Sequence, residues 1–378
     1  MLKVSLNALC TLTMGQSPDS DSYNTTHSGL PFYQGNADFG SIHPNVRIWC
    51  DAPKKLAKAG DILISVRAPI GALNIADCDC CIGRGLAAIT PDTTCADTMF
   101  LFYALCANTA ELQKRGTGST FKAINKNVLA DFLLPSYSLA EQKEIGAVLQ
   151  EVDYLISLRQ QQAEKLDELV KARFVEMFGD PVRNTKHWEK ASLLVLGSCK
   201  NGMSFHANES GIKLRCLGVG DFKNLSYIDD VEQLPFVSLA EKPSANCFLH
   251  DGDIVFVRSN GNKALVGRCL LVYPRDTPTI YSGFCIRYRL LTEKVDPIYA
   301  LHVLKAEGIR QKMSGRGANI QNLNQKILAA IEMPIPPLPL QKAFATFVHE
   351  VDREKERIQR SAALLETLKR SLMQQYFG

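Results

Sequence analysis

No stretch of this 378-residue sequence stays apolar for the roughly 20 residues a membrane-crossing helix needs; the longest runs, Leu193 to Leu196 and Ile331 to Pro337, are far shorter. The first residues, Met1-Leu2-Lys3-Val4-Ser5, lack the basic-then-apolar order of a secretory signal, so the cytoplasm is the expected location. Gly-x-x-x-x-Gly-Lys-Ser/Thr occurs nowhere, which argues against ATP hydrolysis by this chain. An amino-methyltransferase pocket needs Asp/Asn-Pro-Pro-Tyr/Phe, and Asp180-Pro181-Val182-Arg183 lacks the second proline and the aromatic ring. Gly83-Arg84-Gly85 and Gly218-Val219-Gly220 lack dinucleotide-binding spacing and read as turns. Neither a nucleophile constellation nor a nuclease carboxylate cluster is present, so no catalytic residue is expected.

Cysteine is plentiful, at twelve residues, but its arrangement is poor for metal. Cys78 and Cys81 make one Cys-x-x-Cys spacing without a second, and His27 and His43 are the only histidines upstream of them. A cysteine-rich strand of reduced, buried thiols is the simpler reading, with no metal expected. Hydrophobic residues make up 46% and charged residues 22%, the profile of a soluble chain with room for about two domains. The charge is uneven. Residues 1 to 180 hold 16 Lys and Arg against 20 Asp and Glu, net −4, whereas residues 181 to 378 hold 27 against 19, net +8. A basic second half suits a polyanionic partner.

The chain is a tandem duplication with a period near 199. Leu129-Ala130, Pro135, Leu139, Gln142-Lys143, Val152-Asp153, Leu166, Leu169 and Phe178-Gly179 recur as Leu328-Ala329, Pro334, Leu338, Gln341-Lys342, Val351-Asp352, Leu365, Leu368 and Phe377-Gly378. Gly116, Gly118 and Asn125 match Gly315, Gly317 and Asn324 at the same offset, while Gly60-Asp61-Ile62 matches Gly252-Asp253-Ile254 at 192. At the front, Lys3, Ser5, Leu9 and Gly15 align with Lys190, Ser192, Leu196 and Gly202 at 187. Each copy reads as a mixed globular region followed by a long helix, with boundaries expected at 1–135, 136–179, 180–335 and 336–378.

The two helical segments carry heptads, the pattern that pairs helices along a seam. Phe344, Val351, Ile358, Leu365 and Leu372 recur every seven residues, and Ile145, Val152 and Leu166 are their counterparts, with Arg159 and Arg173 as polar interruptions. Leu149, Ile156, Ala163, Val170 and Met177 form a neighbouring stripe. Residues 141 to 178 would span about 57 Å, more than a domain of this size covers with a helix packed only on itself.

In the globular regions, Ile62 to Val66 and Ile254 to Val257 are β-branched runs introduced by Gly-Asp turns, and Met99 to Arg115 and Pro297 to Met313 are helix-like. Each helix-like segment leads into a polar Gly-rich loop. Glycines allow close approach, and hydroxyl, amide and cationic side chains match phosphate oxygens. Lys114, Arg115, Thr117, Ser119, Thr120 and Lys122 in the first loop, and Lys312, Arg316, Asn319 and Gln321 in the second, are therefore candidates for DNA backbone contact; a plain surface turn is the alternative.

In this order and given twice, the landmarks Gly15-Gln16-Ser17-Pro18, Gly60-Asp61-Ile62-Leu63 with Gly252-Asp253-Ile254-Val255, the Gly-rich loops, and Leu133-Leu134-Pro135 through Gln142 with its echo through Gln341 make the chain similar to type I restriction-modification specificity subunits over its whole length. Two departures stand out: Gly202-Met203-Ser204-Phe205 replaces the second Gly-Gln-Ser-Pro, and Leu340 stands opposite Glu141. The resemblance implies an α+β fold of two mixed target recognition domains separated by two long antiparallel coiled-coil helices, in a pseudo-two-fold repeat. It also implies that the chain reads split double-stranded DNA and docks two methyltransferase subunits and a motor nuclease. S-adenosylmethionine, ATP and Mg would then serve the partners, with no cofactor bound by this chain. Arg67, Arg84, Arg258, Asn260, Asn262, Lys263 and Arg268, which follow the Gly-Asp strands, become candidates for reading base edges in the major groove. A helical adaptor with two protein-binding domains, or a specificity fragment of a fused restriction-methylation enzyme, are the competing readings.

Overall fold

Short β-branched strands and two long heptad segments build a fold in which each globular region recruits half of each long helix. The computed structural model describes residues 2–117, 122–205, 210–222, 226–314 and 322–378. Its contacts divide into two units: Met1–Gln162 with Arg357–Gly378, and Ala163–Glu356. The division thus runs through the middle of both long helices, Leu139–Phe178 and Leu338–Phe377, and not between globular region and helix.

In the first unit an antiparallel sheet orders Cys10–Met14, Leu86–Pro91, Ile62–Ser65 and Leu73–Ile75. Ile62 to Ile64 are fully buried, as expected for a strand covered on both faces. A second, smaller sheet orders Tyr23–Asn24, Trp49–Cys50, Leu30–Tyr33, Cys80–Ile82 and Leu56–Ala57. The second unit repeats the plan. Gly197–Asn201, Cys285–Leu290, Asp253–Val257, Cys269–Val272 and Tyr227–Ile228 form its main sheet, and Phe236–Leu239, Ile212–Leu217 and Thr279–Tyr281 the smaller one. The front alignment of the repeat is explicit in the register, since Lys3 pairs with Pro135 in one unit and Lys190 with Pro334 in the other. Gly15 and Gly202 must stay glycine: a Cβ there would lie 2.2 Å from the Gly83 carbonyl oxygen and 2.0 Å from that of Ser282.

The helix-like segments are each broken once, into Thr98–Ala107 and Thr109–Lys114 and into Pro297–Lys305 and Glu307–Ser314. Asp97 and Asp296 cap the first pieces by accepting backbone N–H groups. Ser138 and Glu141 form a reciprocal cap on the first long helix. The second long helix, with Leu340 in place of the glutamate, opens on a proline turn in which Leu340 and Gln341 donate to the Pro337 carbonyl.

Within the first unit Ile145 and Leu149 share a core with Phe377, while Leu372, Met373 and Tyr376 pack against it. The start of one long helix therefore lies along the end of the other, so the pair is antiparallel. In the second unit Val170, Phe174 and Phe178 pack with Phe344, Val348 and Val351 in the same sense, and Leu166 packs against that core. Val152 is buried, and Ile358 and Leu365 are half-buried. Ion pairs fix the register: Asp153 with Lys369 at 2.6 Å, and Asp167 with Lys355 at 2.5 Å. The seam arginines are accommodated separately. Arg159 donates to Gln162 Oε1, and Arg173 reaches Glu176 beside the Phe347 ring.

Each helix end belongs to the core of the other copy. Phe178, closing the first helix, packs edge-on to Tyr299 at 4.7 Å, and Phe377, closing the second, packs on Phe100 at 5.5 Å. Cys80 and Cys81 fall in different core clusters on opposite strand faces, and burial pushes their thiols up to about 12 and about 11. No helix among the described residues is long and apolar enough to cross a membrane.

Candidate nucleic-acid interface

Both Gly-rich loops are anchored to the ends of the Gly-Asp strands by equivalent bonds. Ile124 N–H donates to the Val66 carbonyl at 3.0 Å, and Leu323 N–H donates to the Arg258 carbonyl at 2.8 Å. One residue on, Arg67 bridges to Ala123 and Ser259 to Asn322. Val66 and Arg258 differ by 192 and Ile124 and Leu323 by 199, the offsets at which the surrounding sequence repeats. Thr117 and Ala123 close the base of the first loop with reciprocal backbone bonds of 3.0 and 2.9 Å. The fold thus brings Arg67 to one exposed edge with Thr117 and Lys122 of the first loop, about 50 residues further on in sequence.

The remaining loop candidates have diverse surroundings. Lys114 is exposed and pairs with Glu111 at 3.8 Å. Arg115 also reaches Glu111, at 3.4 Å, and its guanidinium lies 4.8 Å from the centre of the Phe132 ring, which holds it against the domain. Lys312 is exposed near the end of the helix leading into the second loop. Ser119, Thr120, Arg316, Asn319 and Gln321 lie outside the described residues.

Among the base-reading candidates, Arg84 is exposed, and its backbone N–H donates to Ser17 Oγ, itself bonded to the Gln34 side chain. Gly-Gln-Ser-Pro therefore shapes the turn that carries Arg84. Arg258 is half-buried and donates to the Gly283 carbonyl at 3.1 Å, so part of its guanidinium is engaged internally. Asn260 accepts from Asn262 N–H, and Asn262 caps a short turn by accepting from Ala264 N–H. Lys263 lies exposed within that turn and Arg268 half-buried just beyond it. The strand end in the second unit is thus a tightly self-bonded turn, whereas Arg67 in the first projects from the loop base.

Sequence reasoning missed a pair of buried glutamines that join each globular region to its helices. Gln142 Oε1 accepts from Asp97 N–H at 3.0 Å while its amide donates to the Cys95 and Tyr137 carbonyls. Gln341 repeats every bond, with Asp296 N–H at 2.9 Å and the Lys294 and Pro336 carbonyls. The doubled Gln-Lys was visible in the sequence, but glutamine is ordinarily exposed and nothing marked it as a clasp. A second repeated position has diverged in chemistry. Tyr103 donates to Asp153 at 2.8 Å, whereas His302, its counterpart, is pushed down to about 3 by burial with Lys305 adding to the effect.

Comparison with known proteins agrees with this doubled architecture. The family model described as type I restriction modification DNA specificity domain matches twice, over residues 2–168 and 192–366. The chain is 42% identical over 160 residues to a protein named as the MjaX type I restriction enzyme specificity subunit of Methanocaldococcus jannaschii, a stretch covering 42% of this chain and 38% of that relative. The MjaVIII specificity subunit of the same organism is 26% identical over 293 residues, covering 70% of this chain and 67% of its own length. The chain thus spans well under half of the first relative's length and about two thirds of the second's. Among solved structures, a type I restriction-modification S subunit from M. genitalium superposes over 100% of this chain and 96% of its own with a TM-score of 0.61, at 16% identity, a likeness of fold.

Proposed function

Since the chain belongs to the type I restriction modification DNA specificity domain family, we propose that it is the specificity subunit of such a system, each recognition domain reading one half of a split double-stranded DNA target. The observation that carries this reading is the repeated anchorage of a polar Gly-rich loop to a strand end, with Arg67 and Lys122 exposed at the first. Such an edge offers cations to phosphate oxygens while nearby side chains approach the groove. Exposed apolar residues on the helices, Tyr154, Leu364 and Leu368 in the first unit and Leu169 and Val175 in the second, support docking of methyltransferase subunits, one to each unit, with a motor nuclease joining them. The partners supply methylation with S-adenosylmethionine and cleavage with ATP and Mg. This chain binds no cofactor and contributes no catalytic group.

Binding of duplex DNA by the full chain with its methyltransferase partner should fall steeply and linearly in log affinity against log salt, because phosphate contacts release counterions. Adenine methylation should require both proteins. Methyl transfer by this chain alone, or binding indifferent to salt, would overturn the reading and favour a protein-binding adaptor.

A further inference from the structure

The smaller sheets of the two units hold an aromatic ring at the same place, Trp49 half-buried and Phe236 exposed, each covered by a different polar side chain. The equivalence is set by hydrogen bonds, because the sequences there share little: of Leu30–Tyr33 and Leu214–Leu217 only the first leucine recurs. Gly83 N–H donates to the Tyr33 carbonyl and Ser282 N–H to that of Leu217; Phe32 N–H donates to the Ile48 carbonyl and Cys216 N–H to that of Pro235. Trp49 opposite Pro31 therefore corresponds to Phe236 opposite Arg215. His27 lies on Trp49 with ring centres 3.9 Å apart and planes at 10°. The Arg215 guanidinium lies 3.7 Å over the Phe236 ring.

We propose that these two capped rings, His27 on Trp49 and Arg215 on Phe236, are specificity-determining contacts of the two recognition domains, each presenting its polar cap to a base edge in its own half-site. Both caps are held in place before any ligand arrives. Asn24 Oδ1 accepts from the backbone of Thr26 and Ser28, its amide donates to the Ser28 carbonyl, and His27 is thereby held at a φ of 64° over the ring. Arg215 Nη1 donates to the Leu234 carbonyl at 2.6 Å, which fixes the plane of the guanidinium; among the described residues its other donors make no hydrogen bond and are left for a ligand. A stacked guanidinium with a free edge suits the N7 and O6 acceptors of guanine, and an imidazole offers one donor to a purine N7. Phe236 is 58% exposed, a costly way to place a ring that serves only its own domain. Ring position is kept between copies while the cap changes from imidazole to guanidinium, as expected of two sites that read different bases on one scaffold.

This inference rests on the DNA-reading role proposed above, and mapping adenine methylation across a genome separates the two. The full chain would be expressed with its methyltransferase partner, as wild type and as the Arg215→Lys and His27→Gln variants, which keep size and polarity while removing the planar fork and the imidazole. Wild type should yield a split motif; its absence would remove the DNA-reading role and this inference with it. Arg215→Lys should relax one or more positions in one half-site by about tenfold in occupancy, and His27→Gln should do so in the other half only, with melting temperatures unchanged. An intact motif in both variants, or equal weakening of both halves by either one, would overturn the proposal while leaving the DNA-reading role in place.

Discussion

Gln142 and Gln341 are the side chains on which the junction of globular region and helix depends, because each satisfies three buried backbone groups at once. Replacing either with leucine leaves those groups unpaired at about 1–3 kcal/mol each. Gln142→Leu and Gln341→Leu should each lower the melting temperature by several degrees in thermal denaturation, and Gln→Glu should be no substitute, since a carboxylate cannot donate to the two carbonyls. His302 offers a different test. Burial lowers its folded-state value to about 3, below the ordinary 6.5, so protonation favours unfolding. Its neutral form contributes fully above about 6.5, and stability is lost as pH falls from there toward about 3. The neighbouring Asp352 is raised by burial and acts in the opposite direction, so the informative quantity is the difference between wild type and His302→Phe. That difference should move against the wild type as pH falls from 7 to 4, in melts at matched ionic strength. A constant difference would show that His302 is not buried as a neutral ring.

At the scale of elements, the Gly-Asp strands and both long helices were legible because each has a strong period: β-branched runs under full burial, and sevens along a seam. The smaller sheets were not, since strands such as Tyr23–Asn24 and Trp49–Cys50 are two residues long and too short to carry a pattern. The breaks at Asn108 and Ala306 were likewise invisible, as neither is a proline or glycine. The strand-end candidates show the limit from the other side. Choosing cations by position after the strand picked out Arg67, which the fold leaves exposed, together with Arg258, whose guanidinium reaches an internal carbonyl. The helix register leads to a prediction. Because Asp153 faces Lys369 and Asp167 faces Lys355, a heptad inserted after Gln162 alone must put one unit out of step with the uninterrupted second helix. Thermal melts should show a loss of more than about 5 °C. A matching heptad after Glu356 should restore most of it.

For the whole molecule, the heptads announced that the helices pair, but not that each helix end completes the other copy's core; only the repeated Phe178 and Phe377 hinted at it. The difference bears on charge. Counted by structural unit, the first holds 17 Lys and Arg against 16 Asp and Glu, net +1, and the second 26 against 23, net +3. The contrast of −4 and +8 between chain halves therefore comes largely from cutting each unit apart. Salt slopes of DNA binding assigned to the two half-sites should differ little, where the chain halves would suggest a wide gap. On the proposed reading, the two long helices, each of which runs through both units, would set the distance between the half-sites. The most direct test is the adenine methylome of cells carrying the matched-heptad variant with the methyltransferase partner. Seven residues add about 10.5 Å of helix, close to three base pairs at about 3.4 Å each. The motif should keep both half-sites unchanged and lengthen its gap by about three base pairs; methylation at the original gap, or at altered half-site bases, would mean that the helices do not set the spacing.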